Sequence, residues 1–70
     1  MKLKIDEKAD ALYFRLDESE IVESEEVSSG VVLDFNKEGK IVGIEIIGLS
    51  KRTNKINLRS LQFDFIESAA

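Results

Sequence analysis

Two apolar runs separated by a short polar turn, "VSSGVVLDFNKEGKIVGIEII" at residues 27–47, leave few folds open to this chain. Both runs are rich in Val and Ile, which fit a pleated surface. Between them, Asn36 opens a type I turn and Gly39 supplies its left-handed residue, so 31–35 and 40–47 form a β-hairpin. With the usual bulge after such a turn, Phe35 faces Ile41, Leu33 faces Gly43 and Val31 faces Glu45. Val32, Asp34, Val42, Ile44 and Ile46 then share the other side, and both sides are largely apolar. A sheet of that kind has to be covered on both faces. Gly43 leaves room for an aromatic ring, from Phe35 or a neighbouring strand, to lie against the backbone.

The cover is scarce. The chain has 70 residues, enough for a single domain, 1–70, that buries only about 60% of its unfolded surface. Domains of this size gain stability from a disulfide, a metal or another subunit. Cysteine and histidine are both absent, which removes disulfides, thiolate sites, the commonest metal ligand and the commonest general base. The remaining route is a well-packed core or association, and a homo-oligomer, a dimer first, is the expectation.

The other elements read less sharply. "KLKI" (2–5) and "LYFRL" (12–16) alternate polar and apolar residues and pair as a hairpin. "IVESEEV" (21–27) is either an acidic edge strand or a solvated loop. From 50 to 61 the alternation fails, and Ser50 and Asn57 are acceptable caps for short helical turns. "QFDFIES" (62–68) alternates again and reads as a last strand, with a frayed helical tail as the alternative. The expected fold is α+β, mostly an antiparallel sheet of four to six short strands around the hairpin 30–47, with one short helix near 50–60.

Charge is uneven. Residues 1–35 carry four basic and ten acidic side chains, whereas 36–70 carry six basic and four acidic ones. The net charge of −4 argues against nucleic acid, whose affinity comes from neutralised phosphates; "KRTNKINLR" (51–59) is a small patch at most. The acidic segment 17–26 is a solvated face or meets a basic protein partner. No run is long and apolar enough for a membrane span, and the charged start "MKLKIDEKAD" lacks a signal-peptide core. A cytoplasmic protein with no membrane partner is expected.

Catalytic signals are weak. Asp6 and Asp10 are read as turn and strand-end residues rather than a proton-sharing or cation-holding pair. Asp34 and Glu45 fall on opposite faces in the register above; a one-residue shift would bring them to one side. Glu45 pairs with Lys40, Arg15 or Arg52, or points to solvent. Glu18, Glu20, Glu23, Glu25 and Glu26 lack the spacing of a calcium loop. Ser28 and Ser29 have no base beside them. Tyr13 and Arg15 are either an exposed recognition pair or the polar side of a strand. No catalytic, metal or cofactor residue is assigned, and no enzyme is expected.

"IDEKADALYFRL" and "SSGVVLDFNKEGKIVGIEIIGLSKR" resemble the paired signatures of a small prokaryotic family of unknown function. The matching positions are Ile5 and Asp6, Ala9 to Tyr13, Gly30 to Asp34 and Gly43 to Ile46, within a resemblance spanning about residues 3 to 52. Lys8 departs from it, where an acid or small residue is more usual. The resemblance implies no established activity. Some members of that family sit beside genes for small toxin-like proteins, so the resemblance suggests an antitoxin-type role. The leading expectation is therefore a self-associating, non-enzymatic interaction module. The alternative is a small-ligand or metal-binding homo-oligomer with a carboxylate site, from Asp6, Asp10 or Glu45, at the subunit interface.

Overall fold

A computed structural model describes residues 1–68. Five strands, β1 (Lys2–Asp6), β2 (Ala11–Arg15), β3 (Glu23–Ser28), β4 (Val31–Phe35) and β5 (Ile41–Ile47), are followed by a four-residue helix α1 (Leu49–Arg52). The strands form one antiparallel sheet in the order β1-β2-β5-β4-β3. The α+β expectation and the central hairpin hold. Of the segment 21–27, the part from Glu23 on belongs to the edge strand β3.

Three details differ from the sequence reading. First, the hairpin register slips. Phe35 does face Ile41, but Asp34 faces Gly43, Leu33 faces Ile44 and Val31 faces Ile46. An extra residue, Val42, sits at a bulge in β5, and one extra residue inverts the faces of everything beyond it. Second, the helix is confined to 49–52; Asn57 caps no helix, and its Oδ1 instead accepts from the backbone N–H of Arg59 at 3.0 Å. Third, 62–68 forms no strand. Its alternation is real, but a strand needs a partner to satisfy its backbone, and none of the five strands pairs with it.

The observed register sorts the side chains cleanly. Cross-strand partners share a face. One face carries the rows Leu3–Phe14–Ile44–Leu33–Glu25 and Ile5–Leu12–Ile46–Val31, closed by Phe35 and Ile41. The other carries Lys2–Arg15–Gly43–Asp34–Ser24 and Lys4–Tyr13–Glu45–Val32–Glu26. The sheet is thus apolar on one side and polar on the other, not apolar on both.

Burial is thin. Among the described residues only Val42 and Leu49 are buried hydrophobics; the large side chains of the apolar rows are half-buried or exposed. The radius of gyration is 14.0 Å, against about 11 Å for a compact domain of this length. No helix among the described residues is long and apolar enough to cross a membrane.

Asp10 fastens α1 to the sheet. It lies in the β1–β2 turn at φ 54°, a conformation Asp tolerates better than most residues. Its backbone carbonyl accepts from Gly48 and Leu49 at 2.9 and 3.1 Å. Its carboxylate accepts from the Ser50 N–H and, at 2.7 Å, from the Ser50 hydroxyl. The free N–H of a helix start is therefore satisfied from another element, where the sequence suggested Ser50 itself as the cap. Asp10→Ala, which loses these bonds and strains the backbone, is expected to cost about 1–3 kcal/mol. Asp10→Gly, which keeps the positive φ, is expected to cost less; urea denaturation of both variants measures the split.

Candidate functional site

The polar face holds one organised cluster, built where β2, β5, β4 and β3 cross. Gly43 lies beneath it. A Cβ at Gly43 would come within 2.8 Å of the Tyr13 hydroxyl and 2.9 Å of Asp34 Oδ2, closer than real Cβ contacts. The missing side chain lets Asp34 and Tyr13 meet across the central strand. Tyr13 donates to Asp34 Oδ2 at 3.0 Å and Ser24 donates to Oδ1 at 2.5 Å. Asp34 is 8% exposed, and both its oxygens have partners, as a buried carboxylate requires. The Tyr13 hydroxyl in turn accepts from Arg15 Nη1 at 3.3 Å.

Arg15 closes the neighbouring loop. Its Nε donates to the Asp17 carbonyl and its Nη2 to the Ser19 carbonyl. The Tyr13 hydroxyl raises the Arg15 guanidinium above its ordinary value, and hydrogen bonds from Ser19 hold the Asp17 carboxyl below the usual carboxylate range. Asp17 is thus more acidic folded than unfolded, so its small contribution to stability is present above the unfolded carboxylate range and is lost as pH falls through it.

This arrangement braces the polar face of the sheet. Each oxygen of Asp34 accepts one hydrogen bond, and the Tyr13 hydroxyl both donates to Asp34 and accepts from Arg15. Tyr13 and Arg15 are hydrogen-bonded within the chain and tie β2 to β4 and to the 16–19 loop. Asp34 and Glu45 stand on the same face after the register slip, yet Asp34 is bonded to Tyr13 and Ser24. No ion pair among the described residues engages Glu45, so of the two alternatives for it the pairing with Lys40, Arg15 or Arg52 is not made. Asp6 accepts from the Ala9 N–H at 2.9 Å, and Asp10 is occupied with Ser50. The described residues bring no three His, Cys, Asp or Glu side chains together in a way that could hold a metal.

A depression of about 370 Å³ lies over this cluster, lined by Lys4, Asp6, Ala11, Tyr13, Asp34 and Glu45. Three carboxylates against one ammonium give it a negative bias. Ser24 is the participant that sequence reasoning missed. It lies within the acidic run, and nothing local marks it; only the β3–β4 register places it beside Asp34.

A family model described as "Protein of unknown function (DUF2283)" matches residues 2–50. The chain belongs to the DUF2283 family. The match takes in all five strands and the start of α1, so the braced sheet is the DUF2283 unit, and the tail from Thr53 lies beyond it. No curated protein and no solved structure matches the chain. Within this DUF2283 sheet, Gly43→Ala is expected to cost about 1–3 kcal/mol by driving Tyr13 off Asp34. Asp34→Asn, which presents an amide where two donors converge, is expected to cost a similar amount. Thermal denaturation of each variant, and of the pair combined, tests whether they act on one network: the combined loss is smaller than the sum if they do.

Proposed function

We propose that the protein is a non-enzymatic interaction module that associates with itself through the apolar face of its sheet. The observation that carries this reading is the uncovered face. An antiparallel sheet needs one face packed, and here the strands pack extensively only on their sheet neighbours: Phe14, Ile44 and Leu33 are no more than half-buried, and Ile5 and Ile41 are exposed. The exposed surface is 5843 Å², whereas a compact monomer of this mass exposes about 4,400 Å². The excess is larger than the roughly 800 Å² that each partner contributes to a standard interface.

A second copy is the occupant that fits. The face is self-complementary in character, apolar at its centre and rimmed by Glu23 and Glu25 at the β3 edge. An apolar centre with a charged rim is the common anatomy of an interface. Such stacking leaves the braced polar face and the acidic segment 17–26 outward. A basic protein is the further partner this charge suits, as an antitoxin-type role would require.

Sedimentation equilibrium is expected to return twice the chain mass at micromolar concentration. Ile44→Asp, at the centre of the apolar face, is expected to weaken association at least about 100-fold. A wild-type chain that sediments as a monomer would overturn the reading.

A further inference from the structure

The stretch that follows α1 leaves the sheet with four large apolar side chains in the open. Leu61, Phe63, Phe65 and Ile66 are 66%, 74%, 81% and 90% exposed. Scattered single hydrophobics are ordinary on a surface, but a contiguous run this exposed marks an interaction segment. Leu61, Phe63 and Phe65 alternate with Gln62 and Asp64, the pattern of an extended chain with one apolar side.

The segment is anchored at its start. Arg59 Nε and Nη2 donate to the Glu7 carboxylate at 3.1 and 3.0 Å, which ties residue 59 to the β1–β2 turn. Leu58 just before it is half-buried. From that anchor, residues 60–66 reach about 23 Å when extended. A five-stranded sheet is about 19 Å from first strand to last, so the arm is long enough to cross one.

We infer that residues 61–66 are an exchanged arm, which lies on the apolar sheet face of a second copy of the chain. This rests on the self-association reading above and names what completes that interface. In a single chain the arm's apolar side chains are exposed and the apolar face is only half-buried, so each offers the surface the other lacks. In a two-fold pair each copy gives one arm and receives one, so the contact closes and forms no open chain of subunits.

The absence of cysteine allows a direct test. Phe65→Cys is mixed with a full-length chain carrying Leu3→Cys, Phe14→Cys, Leu33→Cys or Ile44→Cys, and the mixture is oxidised. A disulfide between the two different chains at one or more of these face positions is expected. In parallel, Phe63→Asp combined with Phe65→Asp is expected to raise the dimer dissociation constant at least about 100-fold. The strand signal in circular dichroism is expected to stay unchanged, because both residues are exposed within one chain. If the wild type is dimeric but its arm cysteine links only to a face cysteine placed on the same chain, the arm folds onto its own sheet. The exchange is then overturned while self-association stands. A dimer that neither cross-links through the arm nor weakens in the double variant overturns the exchange in the same way. A monomeric wild type overturns both. Should the double aspartate variant fail to fold, the cysteine variants decide the question.

Discussion

Two residues of β5, Ile41 and Val42, stand opposite Phe35 of β4, and the arrangement of the sheet follows from that extra residue. It sets Asp34 against Gly43 instead of Leu33. Asp34 can then reach Tyr13 over a strand position with no side chain, and Ser24 from the far side. The same slip sends Leu33, Ile44 and Phe14 to one face together. Without it, the apolar and polar positions of β4 and β5 would be mixed on both faces, and the carboxylate of Asp34 would enter an apolar layer with nothing to bond.

The brace and the open face are two sides of one arrangement. Five short strands cannot enclose a core by themselves, and this chain has only a one-turn helix to add. The polar face compensates with directed bonds: Arg15 to Tyr13, Tyr13 to Asp34, Ser24 to Asp34. Such bonds add little net stability each, but leaving Asp34 unpaired in its buried position would cost far more. They fix which strands pair and in what register. They cannot replace apolar burial, and on the other face that burial is only partial.

Much of the fold was legible in the sequence. Asn36 and Gly39 marked the central turn because a type I turn with a left-handed closing residue has few alternatives. The family likeness rested on residues now seen to hold the turns and the brace, among them Asp6, Asp10, Tyr13, Asp34 and Gly43. The register was not legible, because Ile41 and Val42 are both apolar and satisfy either alignment; only the cross-strand fit of Asp34 over Gly43 distinguishes them. The last strand was misread for a related reason. Alternation in "QFDFIES" reports an extended chain with one apolar side, and not which strand or surface it meets. Ser24 was hidden by neighbours whose charges dominated the reading of its segment.

The edges of the sheet favour the face as the surface for the association proposed above. β3 exposes Glu23, Glu25 and Glu26 along one edge, and β1 exposes Lys2 and Lys4 along the other. Two β3 edges brought together would set like charges opposite each other, as would two β1 edges. A β1 edge could attract a β3 edge, but that contact is head-to-tail and would continue without closing. The bulge at Val27, between the Glu26 and Ser28 pairings, also bends the acidic edge away from a flat partner strand. Edge pairing is therefore opposed by charge in its closed form and by shape in its open form. The apolar face carries neither obstacle, and in the proposed dimer the charges that guard the edges would form its rim.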